Sequence, residues 1–222
     1  MTITSGVEHI PKRCRWVIGV DEAGRGPLAG PLSVGLVMIR RRLVDELIDN
    51  MPLVRDSKKI SAPKRDQVMA QARDLEVDGK IYARTILSSA YNIDDLGTSK
   101  CIRDSIQEGI DELIAYVGCT HKDVFVQLDG ALKAPAQYRQ QTYVGGDNKY
   151  FAISLASIYA KTTRDGVMEQ YDIKYPQYNF YAHKGYGTKE HLAMIAQHGT
   201  CPIHKQTFLK KFYERQNKSS KK

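Results

Sequence analysis

Four acidic residues stand where apolar runs end or turns begin, namely Asp21, Glu22, Asp129 and Asp147. Asp21 and Asp129 directly follow apolar runs at residues 16–20 and 124–128, and a glycine comes within three positions of each. Carboxylates at the ends of strands that share a sheet edge can converge in space, and their oxygens suit hard cations such as Mg²⁺ or Mn²⁺. Two such ions can activate a water and stabilise the leaving oxygen of a phosphodiester. The pattern therefore indicates metal-dependent hydrolysis, while for any single Asp a turn or a cap is the preferred explanation.

The neighbours Asp21 and Glu22 set a geometric condition on a shared site. Adjacent residues of a regular strand face opposite sides of the sheet. Both carboxylates can therefore reach one metal only where the chain departs from regular pleating. Gly24 and Gly26 follow at once and could supply that bend.

The elements that must position these acids alternate between strands and helices. Apolar runs predict five strands, at residues 16–20, 31–39, 79–87, 124–128 and 141–145. Helical spacing predicts helices at residues 61–73, 93–116, 153–171 and 189–197, followed by a basic C-terminal helix. The order predicts an α/β domain with a mixed sheet and a helical C-terminal appendage. We therefore expect a catalytic domain at residues 1–170 and a substrate-binding extension with a basic tail at residues 171–222.

The charge balance is basic, with a formal net charge of +8 from 33 Lys and Arg against 25 Asp and Glu. Much of the excess lies in residues 205–222, and such a segment is by itself best explained as a solvated tail. The four cysteines form no C-x-x-C pair, so neither a zinc ribbon nor a redox motif is indicated. A signal segment and a run of about 18 apolar residues are both missing, which predicts a cytoplasmic protein without membrane association.

Several motifs recur together in a known order. Residues 18–31, with the sequence IGVDEAGRGPLAGP, closely resemble the opening motif of the ribonuclease HII family. Further motifs of that family follow in its order, at residues 56–59 (DSKK), 128–130 (LDG), 146–147 (GD), 153–165 (ISLASIYAKTTRD) and 183–188 (HKGYGT). The resemblance spans residues 16–208 and is specific, because several unusual motifs occur together.

The resemblance implies a ribonuclease H-like fold, a mixed sheet flanked by helices with a C-terminal helical extension. It implies an endoribonuclease that cuts the RNA strand of RNA/DNA hybrids and cuts 5′ of ribonucleotides embedded in duplex DNA, leaving 3′-hydroxyl and 5′-phosphate ends. It further implies Mn²⁺ or Mg²⁺ as cofactor, a monomer, and a role in ribonucleotide excision repair. The family's metal-binding acids map onto Asp21, Glu22, Asp129 and Asp147.

The resemblance also maps residues that bind the substrate. The family's junction-contacting motif maps onto Gly24, Arg25 and Gly26, and its junction-sensing tyrosine onto Tyr186. Lys58 of the DSK motif could bind a backbone phosphate, although a solvated charge before a helix is an equal alternative. Lys205 stands where the family usually has Arg, which weakens any bidentate phosphate contact there, because Lys acts as a point charge.

Other polar and aromatic residues receive structural interpretations. Arg164 and Asp165 predict an ion pair on a helix. His191, His198 and His204 lack the spacing of metal ligands and are interpreted as structural. His183 and Lys184 could contact the DNA strand, but a hydrogen-bonded loop residue is an equally good interpretation of His183. The aromatic residues Tyr175, Tyr178, Phe180 and Tyr181 are interpreted as core.

Two other functional classes compete with a ribonuclease HII-like enzyme. One is a binding module that has kept the fold without activity, which four intact acids disfavour, because clustered carboxylates repel phosphate unless metals intervene. The other is a resolvase or a type 1 ribonuclease H. The Gly-Arg-Gly and Lys-Gly-Tyr motifs favour the type 2 enzyme.

Overall fold

The computed structural model describes residues 3–54 and 60–219. The described residues form a five-stranded sheet with the strand order β3-β2-β1-β4-β5. All five strands predicted from the sequence are confirmed. Their bounds are β1 Trp16–Ala23, β2 Leu32–Arg40, β3 Ile81–Ser88, β4 Val124–Asp129 and β5 Arg139–Tyr143.

The sheet is mixed, as predicted, with β1 at its centre. Strand β1 pairs antiparallel with β2 and parallel with β4, and β4 pairs parallel with β5. The β1–β4 register places Val20 opposite Leu128. Asp21 and Asp129, which follow these two partners, therefore lie side by side where the pairing of β1 with β4 ends, while each still pairs with its other neighbouring strand.

The described part of the chain contains eight α-helices. The predicted single helix over residues 93–116 is wrong, because Gly97 has φ +82° and separates two helices. A short helix after β2 was not predicted. The helices are α1 Val44–Asn50, α2 Ala62–Val77, α3 Ala90–Leu96, α4 Thr98–Val117, α5 Phe151–Lys174, α6 Phe180–His183, α7 Lys189–His198 and α8 Gln206–Ser219.

Helix α5 approaches the sheet unusually closely. A Cβ added to Gly19 of β1 would lie 2.1 Å from the Ala152 carbonyl carbon, and one added to Gly35 of β2 would lie 2.2 Å from the Ala156 oxygen. Small residues on both surfaces therefore let the helix backbone lie directly on the strands. This close packing brings α5 against the face of β1 that carries Asp21.

The chain divides into two compact units. The first contains the described residues of Met1–Ala23, Ser33–Ile86 and Ile102–Thr163, and its apolar core includes Val17, Ile39 and Leu155. The second contains those of Gly24–Leu32, Leu87–Cys101 and Arg164–Lys222, and its core includes Met168, Tyr178 and Phe180. The predicted division at residue 170 stays a prediction.

No helix among the residues described here combines the length and the apolar character needed to cross a membrane.

Candidate active site

Three carboxylates converge where the pairing of β1 with β4 ends. Asp21 follows Val20 and Asp129 follows Leu128, and these two apolar residues are partners in the parallel register. Asp147 comes from a short 3-10 helix, Gly146–Asn148. One carboxylate oxygen from each acid lies within 4.8 Å of the others. The regular geometry of a parallel strand pair thus brings together residues that are more than a hundred positions apart.

Hydrogen bonds within the first unit orient Asp129 and Asp147. The Gly146 N–H donates to Asp129 Oδ1 over 2.6 Å, and the Asn148 side chain donates to Asp147 Oδ1 over 2.9 Å. The Ser154 hydroxyl donates to the main-chain oxygen of Asp147. Each bond leaves carboxylate lone pairs available, so the acids are positioned and still able to bind a cation.

The electrostatics of the cluster are unfavourable for the protein alone. Asp21 is only 4% exposed, and burial raises its pKa to about 8, with the nearby charges of Asp129 and Glu22 acting in the same direction. Hydrogen bonds from the Ser157 side chain and the Glu22 N–H oppose this increase of the pKa. A buried group of like charges is stabilised by a bound cation. The donor set, all carboxylate oxygens, fits a hard divalent ion.

Glu22 differs from the other three predicted metal ligands. The pairing of β1 with β2 continues regularly through Asp21–Gly35, Glu22–Val34 and Ala23–Ser33, so the expected bend is not present at these positions. Neighbouring strand residues alternate between the two faces. Within the described chain, the three-acid group does not extend to Glu22. Its charge nevertheless acts on Asp21, and its role as a ligand stays a prediction.

The Gly24-Arg25-Gly26 loop belongs to the second unit and uses its two glycines differently. Gly24 has φ +88°, and a Cβ there would lie 2.3 Å from Arg164 Nε and 2.4 Å from the Pro31 oxygen. At Gly26 no described atom comes within 4 Å of the Cβ position. Gly24 is therefore required by packing inside the protein, while Gly26 borders open space. Arg25 between them is exposed.

Tyr186 lies on a turn of the second unit and is 48% exposed. Its ring centre lies 5.9 Å from the Arg164 guanidinium carbon. Gly185 before it has φ +83°, and its carbonyl accepts hydrogen bonds from the N–H groups of Leu28 and Ala29. The Tyr186 turn is thus bonded to the segment that follows the Gly24-Arg25-Gly26 loop.

Buried histidines connect the Tyr186 turn to the start of α8. The Cys201 N–H donates to His204 Nδ1 over 2.9 Å, and His204 Nε2 lies 3.0 Å from His191 Nε2. His191 Nδ1 lies 2.9 Å from the Tyr186 oxygen. All three hydrogen bonds can form when both rings are neutral, with one proton on each ring. Burial lowers the pKa of His191 to about 4 and also lowers that of His204.

Two residues of the second unit have contacts that the sequence did not indicate. The guanidinium of Arg164, interpreted as half of an ion pair with Asp165, donates to main-chain oxygens of Pro31, Ala29 and Lys184. Lys205, considered a weakened phosphate ligand, is completely buried, and its ammonium donates to the Gly24 oxygen. Helix α5 carries other charged residues, among them Lys161 and Asp165, so no local signal marked Arg164 as buried.

The remaining predictions have mixed outcomes. Tyr178 and Phe180 are buried, as a core role requires, whereas Tyr181 is exposed, so its assignment to the core is wrong. His183, His191 and His204 are buried and hydrogen-bonded. Lys58 lies outside the described residues.

The amino-acid sequence is similar to known proteins over most of its length. A family model described as Ribonuclease HII matches residues 18–215. The ribonuclease HII of Ruminiclostridium cellulolyticum is 36% identical over 207 residues, which cover 93% of this chain and 75% of that protein. The matched range includes the three clustered acids, the Gly24-Arg25-Gly26 loop and Tyr186.

Solved structures share the fold. The crystal structure of the ribonuclease H2 from Pyrococcus horikoshii OT3 has a TM-score of 0.65 at 22% identity, covering 90% of this chain and 98% of that one. The crystal structure of Bst-RNase HIII in complex with Mn²⁺ has a TM-score of 0.63 at 13% identity, covering 91% of this chain and 66% of that one. At these identities the likeness concerns the fold, and it confirms the predicted ribonuclease H-like architecture.

Proposed function

Since the chain belongs to the ribonuclease HII family, we propose that Asp21, Asp129 and Asp147 form its metal-binding catalytic centre. Its family membership makes the protein a ribonuclease H hydrolase, an endonuclease that acts on the RNA of RNA/DNA hybrids. The observation that carries the proposal is the convergence of three carboxylate oxygens within 4.8 Å of one another. We include Glu22 as a fourth acidic residue of the centre, because its charge acts on Asp21.

The donors fit Mn²⁺ or Mg²⁺ as cofactor, and in a two-metal mechanism Asp21, Asp129 and Asp147 would hold the ions. Divalent ions held by carboxylates activate a water and stabilise the leaving oxygen of a phosphodiester. The chain's own contribution is to hold the acids in place. The Gly146 N–H fixes the Asp129 carboxylate, and the Ser154 hydroxyl fixes the main chain at Asp147. Cleavage 5′ of the ribonucleotide leaves 3′-hydroxyl and 5′-phosphate ends.

Selection of the ribonucleotide belongs, in this proposal, to the second unit. The 2′-hydroxyl is the chemical group that distinguishes RNA from DNA at one position. The open space at Gly26 allows a sugar to approach the backbone of the loop. The half-exposed ring of Tyr186 can stack on a sugar or base while its hydroxyl makes one directed hydrogen bond. Arg25 and Lys58 would bind backbone phosphates.

The proposal extends to the setting of the enzyme. Residues 1–170 would form the catalytic domain and residues 171–222 the substrate-binding extension. The protein would act as a cytoplasmic monomer that starts the removal of ribonucleotides from DNA.

A duplex that contains one embedded ribonucleotide tests this function. We expect cleavage on the 5′ side of that ribonucleotide with Mn²⁺ or Mg²⁺, cleavage of a uniform RNA/DNA hybrid, and no cleavage of an all-DNA duplex. Asp129→Asn should lose about a thousandfold in turnover on both cleavable substrates, while Asp95→Asn, at an exposed acid outside the cluster, serves as the matched control. Binding without cleavage by the wild type would indicate a non-catalytic module, and cleavage of the hybrid alone would contradict recognition of an embedded ribonucleotide.

A further inference from the structure

Two cations are buried in the second unit. Arg164 on α5 is 1% exposed, and Lys205, next to the start of α8, is 0% exposed. Burying a cation is costly unless its donors are satisfied, and apolar residues of similar size would stabilise the fold at least as well. Cations at such positions therefore call for a role that an apolar side chain could not fill.

The donors of both cations go to main-chain oxygens that flank the proposed substrate-sensing residues. Lys205 Nζ donates to the Gly24 oxygen over 2.8 Å. Arg164 donates through Nε to Pro31 over 2.9 Å, and through Nη2 to Lys184 over 2.9 Å and to Ala29 over 3.2 Å. One guanidinium thus joins the segment after the Gly24-Arg25-Gly26 loop to the turn before Tyr186, and one ammonium holds the first residue of the loop.

The surroundings leave little freedom for these contacts to shift. A Cβ at Gly24 would collide with Arg164 and with the Pro31 oxygen, and one at Gly185 would lie 2.3 Å from the Ala29 oxygen. Main-chain bonds add to the network, from the Lys205 N–H to Leu28 and from the Gly30 N–H to Ile203. Loop, turn and cations therefore form one interlocked arrangement within this unit.

We propose that Arg164 and Lys205 are positioning residues that hold the Gly24-Arg25-Gly26 loop and the Tyr186 turn in the one arrangement that recognises a single ribonucleotide. The inference rests on the proposed function. Neither cation contacts the substrate itself, because both are buried and their donors point to the main chain. Their effect is transmitted through the carbonyls of Gly24, Ala29 and Lys184. Small displacements of groups that must align on one sugar cost large factors in rate.

Both buried charges are electrostatically costly, and nearby groups offset only part of that cost. Burial lowers the pKa of Arg164, while the charges of Tyr186 and Asp165 oppose this change. For Lys205, burial lowers the pKa to about 7, the charge of Arg164 acts in the same direction, and Asp94 opposes both. Carbonyl dipoles aimed at the two cations offset part of this cost. The two buried cations therefore lower the free energy of unfolding, while their hydrogen bonds fix the positions of the backbone.

The test compares selectivity among matched lysine variants. Lys205→Met removes the donor, Lys205→Arg keeps a charged donor, and Lys210→Met makes the same chemical change at an exposed site of α8. For each variant kcat/KM is measured on the single-ribonucleotide duplex and on a uniform RNA/DNA hybrid, together with Mn²⁺ affinity. We expect Lys205→Met to lose about tenfold or more on the single-ribonucleotide duplex and clearly less on the hybrid, where many ribonucleotides offer a binding register.

We expect kcat/KM of Lys205→Arg to stay within about threefold of the wild type on both substrates, because a charged donor is kept. Lys210→Met should have the kcat/KM of the wild type. The Mn²⁺ affinity should be unchanged in every variant. Faster amide exchange at Leu28 and Ala29 in Lys205→Met would report the loosened loop directly. Equal losses on both substrates with unaltered exchange would overturn the positioning role. If Lys205→Met does not fold, Arg164→Lys, which keeps the charge but not the three carbonyl contacts, takes its place with the same expectations. Failure of the wild type to cut the single-ribonucleotide duplex would instead reject the proposed function.

Discussion

The acid cluster of the first unit and the loop network of the second are both built on buried like charges, but they are satisfied in opposite ways. In the first unit, Asp21 and its two partner acids face one another, and burial raises the pKa of Asp21. In the second, Arg164 and Lys205 direct their donors at main-chain oxygens of the same unit. The acid cluster therefore favours a cation from solution, while both cations of the loop network already have main-chain acceptors within their own unit. This difference agrees with the proposed roles, in which the cluster carries the chemistry and the network positions the substrate-sensing residues.

The largest effect is expected from removing one carboxylate of the acid cluster. We expect Asp21→Asn or Asp129→Asn to lower turnover by about a thousandfold, because losing several kcal/mol of charge stabilisation corresponds to that factor. Affinity for the duplex should change by less than about threefold, since it derives mostly from phosphate contacts. Turnover and equilibrium binding are measured separately on each variant. Near-normal turnover with Mn²⁺ would remove the mutated acid from the catalytic centre.

Lowering the pH should destabilise the second unit, because its buried histidines are neutral in the folded chain. Burial holds the pKa of His191 at about 4, against 6.5 as its ordinary value, so the unfolded chain binds the proton more readily. The stability that neutral His191 provides is present above pH 6.5 and is lost as the pH falls toward 4, by about 3 kcal/mol in full. Urea unfolding of the wild type and of His191→Gln across this range provides the measurement. Parallel pH profiles for the two proteins would exclude His191 as the source.

The two glycines of the loop should separate folding from substrate binding. We expect Gly24→Ala to lower the free energy of unfolding by about 2 kcal/mol or more, because of its positive φ and its contact with Arg164. Gly26→Ala should stay within about 0.5 kcal/mol of the wild type, since the position is open, yet raise KM for the single-ribonucleotide duplex. Denaturant midpoints and KM values decide between these effects. Equal free energies of unfolding for the two variants would show that Arg164 can shift to accommodate a methyl group at residue 24.

The acid cluster should also reduce the stability of the metal-free protein slightly. The folded pKa of Asp21, about 8, lies above its ordinary value of 3.8, so stability is lost as the pH rises between these values. Asp21→Asn should therefore be more stable than the metal-free wild type at pH 7, by roughly 1 kcal/mol after structural relaxation. The difference should vanish at pH 4 and shrink when Mn²⁺ is added. A variant that is less stable at pH 7 would mean that the carboxylate contributes more through its hydrogen bonds than it costs through burial.

The two regions also differ in how far the sequence reveals them. The positions of Asp21 and Asp129 could be predicted because strands have a regular geometry. Val20 and Leu128 are partners in the parallel register, so the acids that follow them lie next to each other. The helix break at Gly97 was missed, because apolar spacing continues on both sides of it. A single residue with positive φ overrides such a pattern locally.

The contacts of Arg164 and Lys205 could not be predicted. Their acceptors lie 133 and 181 positions away, at Pro31 and Gly24. Main-chain carbonyls occur at every residue, so nothing in the identity of an acceptor residue marks it as a partner. Only the folded chain determines which carbonyl a buried cation meets. The motif around Gly24 could be recognised from its resemblance to a family, but the physical reason for that glycine appears only in its contact with Arg164.

The most direct test of the division between the two regions is calorimetric titration of the metal-free protein with Mn²⁺. The wild type should bind at the cluster, and Asp129→Asn should bind at least about tenfold more weakly, because one of the converging ligands has lost its charge. Asp95→Asn and Lys205→Met should retain the affinity of the wild type, since neither residue belongs to the cluster. If Mn²⁺ bound Asp129→Asn as tightly as the wild type, the three carboxylates would not be the metal site, and the assignment of chemistry to the first unit would be wrong.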